Sequence, residues 1–221
     1  SGGGLGYLAA AGRYIGALAV SHYQSPYISV YPWSADGFGT KYSDPGTGVG
    51  GNGGGVDFSP DGAYLAIAHN DLDGSPVAVY NWSNSSGFGS KISGASFSSG
   101  NGADVEFAPD GSTIAISHAS RPYISAYPWS GSGFGTKYSN PSTLPTGEAY
   151  HLAFAPNSDA IAVAHGNSSP RISVYPWSGS GFGTKYSDPS SGLPSSARGP
   201  SFHPDGDAIA IAHYGSPYIT A

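Results

Sequence analysis

Residues 56–69 read VDFSPDGAYLAIAH, and the apolar run that ends in His69 occurs five times along the chain. The five histidines that end these runs stand 47 to 49 residues apart: His22, His69, His118, His165 and His213. A four-stranded propeller blade has this length, and a fixed period of this size is typical of repeat architectures. The sequence therefore predicts an all-β fold, a five-bladed β-propeller with 47–49-residue blades.

The repeat covers the whole chain, so residues 1–221 are expected to form one propeller domain. The five blades are predicted over about 5–46, 53–97, 102–144, 149–193 and 198–221. The last blade is expected to be incomplete, because the sequence stops within its third strand. Residues 5–10 could supply either the inner strand of blade 1 or the missing outer strand of blade 5. Their distance from the second strand of blade 1 favours the inner strand.

Blade 2 shows how one repeat is built. Strands are predicted over 54–58, 64–69, 76–82 and 88–92, and Ser59-Pro60-Asp61-Gly62 forms a tight turn, because Pro presets φ and Gly accepts positive φ. The outer-strand pattern, GFGTKY in blade 1, recurs at 87–92, 133–138 and 181–186. Its Lys recurs at one position in all four copies, where a positive charge discourages aggregation through an exposed edge. A ring of basic residues for a ligand is the alternative.

The second strand of every blade alternates large and small residues. In blade 2 the large residues are Leu65 and Ile67, and the small ones are Ala66 and Ala68. If one face of this strand were in water, the positions of the small residues would instead carry charged or large polar side chains. The small residues instead predict two buried faces, with Tyr and Trp of an adjacent blade packed over the alanines.

Composition excludes several classes of function. The chain has 221 residues, 8 basic and 14 acidic, and a net charge of −6, which disfavours nucleic acid as a partner. No apolar run approaches the roughly 20 residues that span a bilayer, so no membrane association is expected. The absence of cysteine excludes disulfides and Cys-based zinc sites but leaves the compartment open, the extracellular space included. We expect a monomer without a cofactor.

Three turns carry a family resemblance. Phe-Ser-Pro-Asp-Gly at 58–62, Phe-Ala-Pro-Asp-Gly at 107–111 and Phe-His-Pro-Asp-Gly at 202–206 resemble the turns of WD-repeat and YVTN-type propellers. The resemblance implies a turn between the first two strands of a blade. Blade 4 departs from it with Phe-Ala-Pro-Asn-Ser-Asp at 154–159, and the Trp-Asp and Gly-His pairs of WD repeats are missing. Five blades of 47 residues also resemble the tachylectin family of sugar-binding propellers.

The repeated histidines and aromatic residues have two interpretations each. A shared zinc is excluded, because second strands of adjacent blades lie on the order of 10 Å apart and zinc holds its nitrogens at about 2 Å. The histidines are therefore predicted to bridge backbone groups between strands two and three, with a role in surface ligand binding as the alternative. The Trp and Phe residues are predicted to pack between blades rather than to stack on sugars.

Polar residues that differ between repeats indicate a site at one end of the central channel. The residue before the repeated Phe is Asp57, Glu106, Ala153 or Ser201, a variation that disfavours a sealed core. The predicted ligand-binding residues, which stand in or just before inner strands, are Asp104, Glu106, Glu148, Tyr150, His151 and Arg198. A solvated loop is the alternative interpretation. The loop at 70–73 and Arg121 are expected on the same face.

The four carboxylates Asp57, Asp104, Glu106 and Glu148 could together attract a cation at this channel mouth. No metal ligand is assigned, and no catalytic residue either, because the sequence has no nucleophile motif and no phosphate-binding loop. The favoured function is therefore a non-enzymatic binding or scaffold propeller with a protein or glycan ligand, an interpretation based on fold. The alternatives are a carbohydrate-binding, lectin-like propeller and a lactonase-like enzyme or cation site at the channel mouth.

Overall fold

Alternating side chains and Pro-Gly turns fold each repeat into one antiparallel sheet. The computed structural model describes residues 16–70, 75–92, 101–166 and 169–221, and these form strands and turns without a helix. The predicted five-bladed, all-β propeller is confirmed. In the described part of the chain there is no helix of the length and apolarity that a membrane span requires.

The described strands run in chain order through the blades. Blade 1 contains β1 (Ala17–Ser21), β2 (Ile28–Ser34) and β3 (Gly37–Phe38). Blade 2 contains β4 (Gly53–Phe58), β5 (Tyr64–His69), β6 (Val77–Ser83) and β7 (Gly87–Ile92). Blade 3 contains β8 (Gly102–Phe107), β9 (Thr113–His118), β10 (Ile124–Ser130) and β11 (Gly133–Phe134). Blade 4 contains β12 (Ala149–Phe154), β13 (Ala160–His165), β14 (Ile172–Ser178) and β15 (Gly181–Phe182). Blade 5 contains β16 (Ala197–Phe202), β17 (Ile209–His213) and β18 (Ile219–Thr220).

Each blade is a meander in which every strand pairs with the next one along the chain. Blades 2, 3 and 4 have four strands, and blade 5 has three, as predicted. The described strands of blade 1 are its second to fourth. The inner strand predicted for this blade over residues 5–10 lies outside the described residues.

The outer strand is shorter than predicted in three blades. Six-residue strands were expected over 37–42, 133–138 and 181–186, but pairing stops after two residues in each. The partner strand there carries Pro32, Pro128 or Pro176, which has no N–H to donate to the ladder. Blade 2 has Asn81 at this position, and its outer strand continues to Ile92. A single residue in the third strand therefore decides the length of the fourth.

Adjacent blades pack in one direction throughout. The small-residue face of blade 2, with Ala66 and Ala68, shares one apolar cluster with Ile114 and Ile116 of blade 3. Tyr127 and Trp129 of blade 3 complete that cluster, as the alternation of the second strand predicted. Blades 1 and 2, 3 and 4, and 4 and 5 repeat the arrangement. Each blade thus presents a small-residue face to the large-residue face of the next.

The repeated tryptophans and histidines serve this packing. Trp82, Trp129 and Trp177 are buried and contact Phe rings edge to face. Four of the five histidines join the second strand to the third through a hydroxyl: in blade 3, Nε2 of His118 lies 3.1 Å from Oγ of Ser125. Equivalent pairs are His22 with Ser29, His165 with Ser173, and His213 with Thr220. A backbone group of the intervening loop takes part as predicted, since Nδ1 of His118 lies 2.7 Å from the carbonyl oxygen of Ser120. The hydroxyl of the third strand is a further partner that the sequence analysis did not name.

Candidate functional site

Residues of all five blades line one cavity of about 600 Å³ at the end of the channel where the inner strands begin. We call it the mouth cavity. Its lining residues are Ser21, His22, Tyr23, Asn52, Gly53, Gly54, Asn70, Asn101, Gly102, Ala103, Ala119, Glu148, Tyr150, His151 and Arg198. A cavity of this volume falls in the range of small-molecule sites.

A β-bulge near the start of the four described inner strands, β4, β8, β12 and β16, aims side chains into the mouth cavity. The register shifts between Gly102 and Asp104, between Ala149 and His151, and at the same place in β4 and β16. A bulge turns its extra residue away from the ladder, and bulges are frequent next to active sites. The residues at this position are Gly54, Ala103, Tyr150 and Arg198. Blades 2 and 3 therefore leave space, while blades 4 and 5 supply a phenol and a guanidinium.

His151 and Asp104 form a hydrogen-bonded pair behind the cavity wall. Nδ1 of His151 lies 3.3 Å from Oδ2 of Asp104, and the same oxygen accepts the N–H of Leu152 at 3.1 Å. Asp104 is buried, whereas the side chain of His151 is 31% exposed. A carboxylate at Nδ1 makes that nitrogen the donor, so Nε2 carries the free lone pair. This is the arrangement of a histidine prepared to accept a proton.

Gly55 provides the space for the buried carboxylate. A Cβ atom at this position would stand 1.6 Å from Oδ1 of Asp104. Gly55 precedes Asp104 by one repeat, at the same position of the inner strand. The carboxylate therefore lies over a glycine of blade 2 and reaches a histidine of blade 4.

Arg198 contacts two aromatic rings. Its Cζ lies 4.0 Å from the ring centroid of Tyr150 and 4.4 Å from that of Tyr214. These two cation–π contacts hold the guanidinium in place. Its buried Nε has no hydrogen-bond partner among the described residues. Arg198 also lines the mouth cavity, so it places a positive charge beside any anionic or carbonyl oxygen that binds there.

Two further carboxylates lie deeper along the inner strands and join adjacent blades. Oδ2 of Asp57 accepts the N–H of Phe107 at 2.8 Å, and Oε2 of Glu106 accepts the N–H of Phe154 at 3.1 Å. Burial raises the pKa of Asp57 to about 7, and the Asp104 charge adds to the shift. Burial, followed by the Asp104 charge, also raises the pKa of Glu106 well above its ordinary value. Both groups act between blades rather than in the mouth cavity.

The carboxylates do not assemble into a metal site. Within 16–70, 75–92, 101–166 and 169–221, no group of three or more His, Asp or Glu side chains is placed to hold a metal ion. Asp57, Asp104 and Glu106 instead accept backbone N–H groups of the following blade. The expected gathering of four carboxylates around one cation is therefore not found in this part of the chain.

The structure separates the six predicted site residues into two groups. Glu148, Tyr150, His151 and Arg198 line the mouth cavity, and Asp104 lies directly behind His151. Glu106 lies outside the lining. Of the loop expected on the same face, Asn70 lines the cavity and residues 71–73 lie outside the described ranges. Arg121 does not line it.

Sequence reasoning missed several polar residues of the site. Asn52 and Asn101 line the cavity at the repeat position of Glu148, immediately before an inner strand. Alignment of the repeats could have identified them. Tyr214, which contacts Arg198, follows the histidine that ends the second strand of blade 5. Its role depends on the distance between blades, which no repeat alignment contains.

Comparison with known proteins gives likeness in structure only. No family model matches the chain, and no curated protein matches it at a significant level. A structure from Bacteroides uniformis assigned as a 6-phosphogluconolactonase superimposes with a TM-score of 0.64 at 13% identity, over 91% of this chain. A periplasmic gluconolactonase from Pseudomonas aeruginosa superimposes with a TM-score of 0.66 at 14% identity, over 90% of this chain. The chain spans 62% of the length of each of these proteins.

These comparisons change the functional interpretation. At 13–14% identity the likeness establishes the propeller architecture, and the finer resemblance to WD repeats gains no support from it. The expectation of a non-enzymatic binding or scaffold propeller is wrong against these comparisons, because both matched structures carry the names of lactonases. The prediction that the chain is not an enzyme is wrong for the same reason.

Proposed function

We propose that the chain hydrolyses a lactone in the mouth cavity, with His151 as the general base. The observation that carries the proposal is the hydrogen bond between His151 and the buried Asp104, beside an oriented Arg198. A buried carboxylate behind a partly exposed imidazole is the arrangement of a catalytic base. The likeness in fold to two lactonases supports the same reaction class.

The proposed reaction needs one water and one proton carrier. His151 Nε2 takes a proton from water as the water oxygen attacks the lactone carbonyl. The tetrahedral intermediate collapses, the ring C–O bond breaks, and the protonated His151 returns the proton to the leaving alkoxide. The product is a hydroxycarboxylic acid, so atoms and charge balance. Asp104 holds the imidazole in the correct tautomer and stabilises its cationic form.

Arg198 stabilises the charge that develops on the carbonyl oxygen. Its guanidinium is fixed in orientation by Tyr150 and Tyr214, and preorganised donors of this kind supply much of the rate enhancement in acyl transfer. Asn52 and Asn101, which also line the cavity, offer amide groups for the hydroxyls of a sugar-derived ring.

The proposal is tested by acid release. The purified protein is incubated with a panel of five- and six-membered sugar lactones at constant pH, and the rate without protein is subtracted. His151→Gln should lower kcat/KM by roughly 10²–10⁴-fold, the usual contribution of a general base. Asp104→Asn should lower it in the same direction, since it changes the tautomer.

His203→Gln is the matched control, because His203 is an exposed histidine in the turn of blade 5, outside the cavity lining. Its rate should equal that of the wild type. Absence of acid above the spontaneous rate for every lactone would overturn the proposal. A wild-type rate in His151→Gln would remove His151 from the mechanism.

A further inference from the structure

Gly166 lies against the aromatic ring of Tyr150, which in turn contacts Arg198. This glycine directly follows β13 and is buried. A Cβ atom at residue 166 would stand 2.7 Å from Oη and 2.8 Å from Cε2 of Tyr150. Packed carbon atoms keep a separation of about 3.5–4.0 Å, so the ring already fills the space that a side chain would need.

The backbone itself does not require a glycine at residue 166. Its φ angle lies outside the left-handed region in which glycine is favoured. The other blades carry Tyr23, Asn70, Ala119 and Tyr214 at this repeat position, directly after the histidine of the second strand. The glycine is therefore explained by its contact with Tyr150 and not by its own conformation.

A hydrogen bond holds the backbone segments of the two residues together. The N–H of Gly166 donates to the carbonyl oxygen of Glu148 at 3.0 Å, two residues before Tyr150. Blades 2, 3 and 5 repeat this bond between the equivalent backbone groups. Because the spacing of the two segments is fixed in this way, the Tyr150 ring and a side chain at residue 166 would compete for one space.

We propose that Gly166 is a positioning residue, which leaves the Tyr150 ring in the place where it holds Arg198. Cζ of Arg198 lies 4.0 Å from the centroid of this ring and 4.4 Å from that of Tyr214. A methyl group on residue 166 must displace the Tyr150 ring, and the guanidinium then moves with the ring or loses the contact. The catalytic consequence rests on the proposed function, in which Arg198 stabilises the charge on the carbonyl oxygen. The series of contacts does not depend on that function.

Gly166→Ala should lower kcat for lactone hydrolysis and leave KM unchanged. A group misplaced on the order of 1 Å can cost about 100-fold in rate, so a loss of roughly 10–100-fold is expected. KM should not change, because Arg198 acts on charge that exists only in the transition state. Gly179→Ala, in an exposed turn of the same blade, is the matched control, since a Cβ there meets nothing within 4 Å. A melting curve of each variant confirms that it folds.

A double-mutant cycle separates this role from a general effect of the added methyl group. Tyr150→Ala removes the ring and should itself lower kcat, because Arg198 loses its contact. Adding Gly166→Ala to Tyr150→Ala should then change kcat by less than about twofold, since residue 166 acts only through the ring. Losses that multiply would overturn the proposal.

The Nε–H signal of Arg198 in proton–nitrogen correlation spectra tests the contact without any activity. The signal is identified by its loss in Arg198→Lys, and the two neighbouring rings shift it. It should move in Gly166→Ala and stay in place in Gly179→Ala. An unmoved signal in Gly166→Ala would overturn the proposal, and so would a moved signal with wild-type kcat. If the wild type hydrolyses no lactone, the proposed function fails, and the signal alone decides whether Gly166 places Arg198.

Discussion

Asp104 and His151 occupy the same position of successive blades, and Oδ2 of the aspartate lies 3.3 Å from Nδ1 of the histidine. Blade 2 has Gly55 at this position and blade 5 has Gly199. The repeats therefore share one backbone frame while neighbouring copies carry a carboxylate and an imidazole. The catalytic pair that we propose arises from the difference between two adjacent repeats.

Replacing Gly55 by Ala should separate this pair. The new Cβ would stand 1.6 Å from Oδ1 and 2.8 Å from Cα of Asp104, so both the carboxylate and the backbone of Asp104 must move. If Asp104 positions His151, lactone hydrolysis should fall to the level of Asp104→Asn. Gly46→Ala is the matched control, because a Cβ there meets nothing within 4 Å. Steady-state kinetics and a melting curve check the prediction, and wild-type kcat/KM in Gly55→Ala would contradict it.

Replacing the equivalent alanines of blades 4 and 5 by leucine should change the stability of the protein to different extents. Ala164 is fully buried against blade 5, so Ala164→Leu should lower the free energy of unfolding by roughly 1–3 kcal/mol through overpacking. Ala212 is the exposed equivalent of Ala164, and Ala212→Leu should change the free energy of unfolding by less than about 0.5 kcal/mol. Urea unfolding at low protein concentration measures both. Equal losses would show that Ala212 is covered within the single chain.

Stability should depend on pH through His118. Burial lowers the pKa of His118 from 6.5 to about 4, although the Ser120 carbonyl opposes the shift. Between these pH values the unfolded state binds more protons, so this contribution is complete above pH 6.5 and is lost as the pH falls to 4. The loss is up to about 3 kcal/mol. Unfolding of His118→Gln between pH 4 and 7 should lack this part of the slope, and the His203→Gln control should retain it.

Asp57 should act with the opposite sign. Burial raises its pKa to about 7, so the unfolded chain releases the proton at a lower pH than the folded one. This contribution is present below the ordinary pKa near 4 and is lost as the pH rises through 7. Asp57→Asn keeps an oxygen that accepts the Phe107 N–H and has no charge. The stability of Asp57→Asn relative to the wild type should therefore increase as the pH rises from 4 to 7. Asp36→Asn, on an exposed turn, is the control and should not show this increase.

Local sequence was sufficient for the strands of blade 2. The strands predicted over 64–69 and 76–82 are found at Tyr64–His69 and Val77–Ser83. Side-chain alternation and turn residues determine strand positions locally, through neighbours only a few residues away in the sequence. The outer strands were predicted too long, since their length depends on a proline in the partner strand. That proline is visible in the sequence. Its effect follows only when the two strands are considered as a pair.

The sequence by itself determined the number of blades, the order of strands and the two-faced character of the second strand. Period and side-chain parity are properties of a single repeat, and they persist wherever the repeat is placed. The pairing of Asp104 with His151, the contact of Tyr214 with Arg198 and the exposure of Ala212 were decided only by the tertiary structure. These depend on the distances between blades and on which blades have a neighbour, and both are set by the arrangement of sheets around an axis rather than by any local pattern.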